Sequence, residues 1–369
     1  MRELRTEEYQ INMGPHHPST HGVCRLLLTM DGEKIVDAVP YVGYLHRSIE
    51  KICENRTYAQ CIPILDRFEY VTSMSCNYVF SLAAEKLAQI EVPERAEYLR
   101  VIMLELNRIA SHLIFFGTTA MDCGALTPFL YGLRERELIM DLFEMTCGQR
   151  LTYNYIRIGG VSRDIPPEFV PKCREAIKII TSKLPDYEGI LNENPIWLAR
   201  MKGVGYADPQ QAIAWGVSGP VLRASGVKYD LRRDDPYSIY PKFDFDVAVC
   251  WNGDNYDRYL VRIEEIRQSL KIISQALDGL PEGDIRAKVK AKFKPPAGEV
   301  YVRIENSRGE MGVYLVSDGS EKPLRIKTRG GSYNQLQFLP EIVRGKGYLI
   351  ADIVAIFATF DVIMPEVDR

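Results

Sequence analysis

The chain has 369 residues, of which 46% are hydrophobic and 26% charged, with a formal net charge of −3; this is a globular balance, long enough for one large or two ordinary domains. So small a net charge excludes a global attraction to nucleic acid or anionic lipid, and any such contact would need a local patch. The long stretches free of Asp, Glu, Lys and Arg, Tyr9 to Cys24 and Tyr70 to Ala84, are both shorter than the roughly 18 residues a membrane-crossing helix needs, and Met1 to Glu8 lacks the apolar core of a secretory leader.

In chain order, Gly14-Pro15-His16-His17-Pro18-Ser19-Thr20-His21-Gly22 comes first, holding three of the five histidines between prolines that fix φ and glycines that allow reversal. The pattern predicts a stiff loop presenting imidazoles. Val23 to Met30 and Glu33 to Val39 read as strands around the turn signal Asp31-Gly32, so the loop is expected to precede a hairpin. Tyr44 to Ile52 has apolar residues at helical spacing. Arg67 to Ile90 reads as a longer helix with Phe68, Val71, Tyr78 and Leu82 on one side. Pro93 opens another, running to about Phe116, with Glu94 and Glu97 at the positive end of its dipole. Pro128 to about Leu151 supplies a further helix, and Pro166 starts one through Ile180 that Leu184-Pro185-Asp186 ends. Asp208-Pro209 reads as N-cap and first residue of a short helix, Arg223 to Cys250 as irregular, and Asp254 to Leu277 as a long helix. Lys288, Lys290, Lys292 and Lys294 alternate with small or apolar residues, which puts four charges on one face at strand period. Glu299 to Ile304 and Gly312 to Gly319 predict a second hairpin. The nearly all-apolar stretch Leu349 to Phe360, with Asp352 inside it, should be buried; the carboxylate is either a satisfied core group or part of a site. The predicted class is α+β, mainly α: an N-terminal β region with the histidine loop over 1–43, a helical bundle over 44–280, and β-hairpins with a buried terminal segment over 281–369.

Several residues can carry chemistry. His17-x-x-x-His21-x-x-Cys24 offers ligand types that zinc takes, but no second pair at ligand spacing follows, and a loop imidazole acting as proton or hydrogen-bond donor suits the segment better. The competing structural reading is of histidines that cap backbone carbonyls. His112, in a helix with Glu105, Asn107 and Arg108, more often means internal ion pairs than catalysis. Asp122 falls at a helix junction, where a carboxylate caps or orients a neighbour. The eight cysteines are scattered without a Cys-x-x-Cys, which points to free thiols and argues against a self-contained iron–sulfur or all-cysteine zinc site. Gly203-Val204-Gly205 lacks the third glycine of a dinucleotide loop, and neither a P-loop nor Gly-x-Ser-x-Gly occurs, so no NAD, ATP or serine-hydrolase site is expected.

The histidine loop together with Gly43-Tyr44-Leu45-His46-Arg47, Asp66-Arg67-Phe68-Glu69-Tyr70-Val71-Thr72-Ser73-Met74, Asp122-Cys123-Gly124-Ala125-Leu126-Thr127-Pro128-Phe129 and the terminal Glu366-Val367-Asp368-Arg369 closely resembles the 49-kDa (D-type) subunit family of respiratory complex I, end to end. Tyr155 to Val161, Ser218 to Gly226, Tyr256 to Tyr259 and Gly312 to Gly319 join the match. The resemblance implies a peripheral-arm subunit seated at the cytoplasmic face of the cell membrane, with a fold like the large subunit of nickel–iron hydrogenases, that reduces quinone at its edge in a proton-translocating NADH or ferredoxin:quinone oxidoreductase. It implies that His21 and Tyr70 bind the quinone headgroup, that Asp122 partners the histidine, that Asp352 and Val354 line the pocket, and that Arg47 and Arg67 lie near the 4Fe-4S cluster of the partner subunit. Quinone is then a substrate, and no metal or cofactor belongs to this chain alone. The implied partners are the iron–sulfur small subunit, the 30-kDa (C-type) subunit and a membrane-arm subunit at the quinone channel, with no nucleic acid. Only Cys53 remains near the first of the four nickel-ligating thiolates of the hydrogenases, which opposes the alternative of a membrane-bound hydrogenase-like large subunit. The other alternative, an assembly subunit with a decayed site, is opposed by intact His21, Tyr70 and Asp122. Thr152 stands where many members carry a histidine beside the cluster, so a weak pH dependence of the cluster potential is expected between about pH 6 and 8; a redox titration with a steep slope there would refute it. Gly331-Ser332-Tyr333-Asn334 and Pro365 also depart from the family pattern.

Overall fold

The computed structural model describes residues 7–17 and 22–369. The N-terminal sheet has three antiparallel strands, β1 (Glu8–His16), β2 (Cys24–Asp31) and β3 (Lys34–Tyr41), in that order. The expected hairpin is β2–β3. Leu26, Leu28 and Met30 are buried while the residues between them are half-buried, as alternation requires of a strand with one face on a core. The expected loop, however, begins later than Gly14. Gly14-Pro15-His16 continues an edge strand across an irregularity between Met13 and His16, with Gly14 at φ +95°; an edge strand with a bulge tolerates a proline that a central strand would not.

The helix expected over Tyr44 to Ile52 is reduced to α1 (Ile49–Cys53). The preceding turn is claimed by Asp368, whose carboxylate accepts the Gly43 and Leu45 amides, each at 2.7 Å. Next comes α2 (Tyr58–Leu65), which the sequence reading missed; its Thr57/Gln60 capping box was the available signal. The single helix expected from Arg67 is broken into a 3₁₀ turn over Tyr70–Thr72 and α3 (Ser73–Ala88). Side chains compete for its backbone there: Glu69 accepts the Thr72 amide at 2.8 Å, and Asn107 donates to the Val71 carbonyl at 2.9 Å.

The long helices α4 (Glu94–Asp122) and α5 (Leu126–Cys147) lie side by side. Their approach requires glycine: a Cβ on Gly117 would stand 2.8 Å from Phe129 Cα, and one on Gly132 would stand 2.7 Å from the Leu113 carbonyl oxygen. A small ladder, β4 (Ile156–Arg157) with β5 (Gly160–Val161), precedes α6 (Phe169–Asn192), which runs through Pro185 rather than stopping at it. Its buried stripe of Ile180, Leu184, Tyr187 and Leu191 continues past the proline at helical spacing, and burying it outweighs the lost hydrogen bond. Then follow α7 (Pro195–Met201), α8 (Pro209–Ala214), α9 (Gly219–Ala224), α10 (Leu231–Asp234) and α11 (Asn255–Asp278). Asp208 caps α8 as expected, accepting the Gln210 and Gln211 amides. Along 288–294 the four lysines are exposed while Val289 and Phe293 pack on the core, the expected alternation without a regular strand.

The C-terminal sheet, β6 (Gly298–Asn306), β7 (Gly309–Ser317) and β8 (Arg325–Arg329), is antiparallel and contains the second expected hairpin plus one further strand. The chain ends in α12 (Gly331–Val343), α13 (Ile350–Phe360) and α14 (Met364–Asp368). The architecture is thus α+β and mainly helical, with sheets at both ends and helices between. Two apolar cores organise it: one joins the long helices to the C-terminal sheet, and the other joins β2 and β3 to α12, α13 and α14, so the two ends of the chain share a core. The interior also holds ion pairs. Arg223 donates to Glu265 at 2.6 Å and Glu305 at 2.7 Å, Arg232 to Asp230 at 2.7 Å and Glu105 at 3.1 Å. His112, bonded through Nε2 to Glu265 at 2.8 Å, belongs to this network.

Candidate functional site

Tyr70 opens the 3₁₀ turn, half-buried, immediately after the fully buried Glu69. Glu69 accepts from Arg308 Nη1 at 3.2 Å and from Asn306 Nδ2 at 3.4 Å. Arg308 sits in the tight turn between β6 and β7, where its Nε donates to the Asp361 carbonyl at 2.7 Å and its Nη2 to the Asp361 carboxylate at 3.1 Å. Its Nη1 also reaches the hydroxyls of Ser111 and Ser307, each at 3.1 Å. One guanidinium therefore ties together the start of the Tyr70 turn, helix α4, the C-terminal sheet and the end of α13. Burial pushes the Glu69 carboxyl up to about 7; Arg308 opposes the rise, while Glu366 and Asp361 add to it. Burial likewise raises the Tyr70 phenol, again opposed by Arg308 and reinforced by Glu69 and Asp361. A phenol in this setting keeps its proton until a strong base arrives, and a cation nearby steadies the anion that remains.

His21 lies outside the described residues. Gly22, which follows it, has φ +98° and is pressed onto the C-terminal segment: a Cβ there would meet Leu45 Cδ1 at 2.7 Å and Met364 Cβ at 2.9 Å. The exit of the histidine loop thus rests on the element that begins three residues after Asp361. Nearby, Glu366 accepts the Ser332 amide at 3.1 Å, and a Cβ on Gly331 would stand 2.4 Å from the Arg308 carbonyl oxygen. The segment Gly331 to Asn334, which departs from the family pattern, therefore packs directly on the Arg308 turn.

Asp122 is the last residue of α4, about 22 Å further along that helix than Asn107, which grips the Tyr70 turn. Its Oδ2 is buried without a hydrogen-bond partner among the described residues, and burial pushes the carboxyl up to about 6. Beside it, the Cys123 thiol is raised by burial and by Asp122, while Arg200 acts in the opposite direction. Arg200, on α7, donates Nη1 to Asp352 Oδ1 at 2.7 Å, and Asp352 Oδ2 accepts the Leu349 amide at 2.9 Å. The lone carboxylate of the apolar terminal run is therefore satisfied. Sequence reading missed Arg200; the need of such a carboxylate for a cation was the only signal. Val354 is half-buried against the second core.

Arg47, just before α1, and Arg67, just after α2, come together on the walls of one recess of about 300 Å³ with Ile49, Ile52, Pro63 and Ile64. Arg67 also lines a second, polar cavity that includes Thr152. Tyr70 thus sits on the Arg308 turn, Asp122 lies beside Cys123, on which Arg200 acts, Arg200 holds Asp352, and Arg47 shares a recess with Arg67.

The chain is α+β and mainly helical, with a half-buried tyrosine set beside a buried arginine and carboxylate cluster. The family model of the respiratory-chain NADH dehydrogenase 49-kDa subunit matches residues 122–295 and 287–369. The D-type subunit of the NADH-quinone oxidoreductase of Dehalococcoides mccartyi is 53% identical over 367 residues, covering 99% of this chain and 100% of that one. The proteins of the same name from Desulforamulus reducens and Clostridium beijerinckii are each 50% identical, over 99% and 100% of this chain and 99% of each relative. The chain belongs to the 49-kDa subunit family of the respiratory-chain NADH dehydrogenase.

Proposed function

We propose that this chain is the quinone-site subunit of the peripheral arm of a proton-translocating NADH or ferredoxin:quinone oxidoreductase. The observation that carries the reading is the 53% identity, spanning both chains almost completely, to a protein whose name makes it a subunit of an NADH-quinone oxidoreductase. Quinone accepts two electrons and two protons. Tyr70 Oη donates one proton and the His21 imidazolium the other, so both carbonyl oxygens are met by a donor. Arg308 and the Glu69 carboxyl control the charge around the phenolate left on Tyr70. Asp122 orients the His21 ring and favours its charged form; a buried Oδ2 without a partner among the described residues suits a carboxylate reserved for an imidazole. Asp352 and Val354 line the pocket on the α13 side.

Electrons come from the 4Fe-4S cluster of the iron–sulfur partner subunit, which docks at the recess of Arg47 and Arg67, where two cations favour the more negative reduced cluster. The 30-kDa subunit and a membrane-arm subunit complete the neighbourhood, and the chain sits peripherally at the cytoplasmic face of the membrane. No helix among the described residues is long and apolar enough to cross a membrane, which fits a peripheral place. Replacing Tyr70→Phe in the assembled complex is expected to slow quinone reduction by about 100-fold or more while the partner cluster is still reduced. Unaffected turnover would sink the role given to Tyr70.

A further inference from the structure

We propose that Glu69 and Glu366, set around the Arg308 guanidinium, share one stored proton, and that Glu69 returns a proton to Tyr70 after each quinone is reduced. This role rests on the reading that Tyr70 donates a proton to quinone. Glu69 lies 3.2 Å from Arg308 Nη1 and the Asp361 carboxylate 3.1 Å from Nη2, and Glu366 is close enough to act on both Arg308 and Glu69. All three carboxyls are fully buried. The next cation is Arg262, which acts on Asp361 while its own Nη groups donate to the Arg258 and Phe360 carbonyls. Three carboxyls thus face two guanidiniums among the described residues. An interior penalises unbalanced charge, so one carboxyl keeps its proton. Asp361 is engaged by both guanidiniums, which leaves Glu69 and Glu366.

Burial raises both of these groups, Glu69 to about 7, and Glu366 is the largest like charge acting on Glu69. Ionising either one therefore strengthens the hold of the other on the proton. The remaining groups around Glu69 are Asn306 from the C-terminal sheet, the Cys76 thiol of α3, which Asp66 also reaches, and the Tyr153 phenol. None of them supplies a further cation.

Two neighbours place the store in line with the phenol and with solvent. Thr72, whose amide donates to Glu69 Oε2 at 2.8 Å, has a buried hydroxyl with no hydrogen-bond partner among the described residues, and it closes the same 3₁₀ turn that Tyr70 opens. A hydroxyl both accepts and donates, so it passes a proton on as it takes one. On the other side, Glu366 Oε2 accepts the Ser332 amide and hydroxyl, while its Oε1 has no partner among the described residues, which disfavours the ionised form. Val367, Asp368 and Arg369, which follow it directly, wall an open cavity of about 370 Å³ with His46 and Tyr333. Solvent thus comes within one residue of the store. In the return step the Oε–H bond of Glu69 breaks and the Tyr70 Oη–H bond forms, with the Thr72 hydroxyl taking one proton and giving another. No electron moves. The negative charge passes from the phenolate to the Glu69 carboxylate beside Arg308, and Glu366, refilled from solvent, restores the shared proton.

The test mixes the pre-reduced assembled complex with quinone and compares the unaltered chain with Glu69→Gln, which keeps an acceptor for the Thr72 amide. The expected result is a first quinol formed at the unaltered rate, because it uses the proton already on Tyr70, followed by turnovers slowed about tenfold or more. Added imidazole, a small diffusible acid, should restore the later turnovers. Equal rates in the first and later turnovers overturn the proposal: both normal would leave Glu69 without a part in proton supply, and both slow would make it only a support of the Tyr70 turn. Infrared difference spectra of the unaltered complex give a second measurement that needs no variant. A carboxylic-acid C=O band should be lost transiently after quinol forms at about pH 6, where the store is full, and a band that never changes overturns the proposal as well. A normal Glu69→Gln beside a slow Tyr70→Phe removes the store alone, whereas a normal Tyr70→Phe removes the reading on which it rests.

Discussion

Asp66 illustrates what a single residue contributes. It is fully buried, its Oδ2 lacks a hydrogen-bond partner among the described residues, and burial raises its carboxyl from 3.8 to about 7 against the pull of Asn77 and Arg67. An acid whose folded pKa exceeds its unfolded value binds more protons in the native state between the two, so stability falls as pH rises through that window and the cost is complete above about 7. Asp66→Asn keeps the acceptor for Asn77 and removes the charge. It should stabilise the protein by about 1–3 kcal/mol at pH 8 and by almost nothing at pH 4. Urea unfolding at both pH values measures the difference, and an equal change at the two would show that burial is not the cause. The sequence marked Asp66 only through the resemblance; its burial comes from the packing of α2 on α3, which no local pattern specifies.

At the scale of elements, the long helices were legible because their stripes are long. The alternation in β2, the N-cap at Asp208 and the stripe of α11 all follow from patterns that one segment contains. Boundaries failed where side chains from elsewhere intervened. Glu69 and Asn107 take the backbone groups that would have extended α3 toward Arg67, and Asp368 takes those that would have begun α1 at Tyr44. The opposite failure occurs at Pro185, where a local stop signal loses to burial of Tyr187 and Leu191. Pro185 is exposed, so Pro185→Ala should restore an internal helix hydrogen bond and raise stability by about 1–3 kcal/mol. A thermal melt that falls instead would mean that the proline's bend is needed for α6 to reach α5.

The whole molecule is closed by its last residues. Asp368 holds the Gly43 and Leu45 amides, its carbonyl meets His46 Nδ1 at 2.7 Å, Glu366 holds Ser332, and Arg369 donates to the Thr328 carbonyl at 3.0 Å. These bonds fasten the turn that carries Arg47 and, through Leu45 and Met364, the exit of the histidine loop at Gly22. Asp368→Ala should cost about 2 kcal/mol, the order expected for losing an ionised acceptor from two amides. Hydrogen exchange at Gly43 and Leu45 should then accelerate by at least about tenfold while the α4 interior stays protected. Protection unchanged at those amides would remove Asp368 from this role.

By itself the sequence determined the class, the long helices and both hairpins, because hydrophobic period and turn chemistry act within a few residues of one another. The motifs pointed to the family and to Tyr70, Asp122, Arg47 and Arg67 as residues of interest. Only the tertiary structure decided that Arg308 ties Glu69 to Asp361, that Arg200 satisfies Asp352, and that Glu366 comes close enough to act on Glu69. Those partners lie tens to hundreds of residues apart, and buried charges find one another through the packing of whole elements, which leaves no periodic trace in the chain.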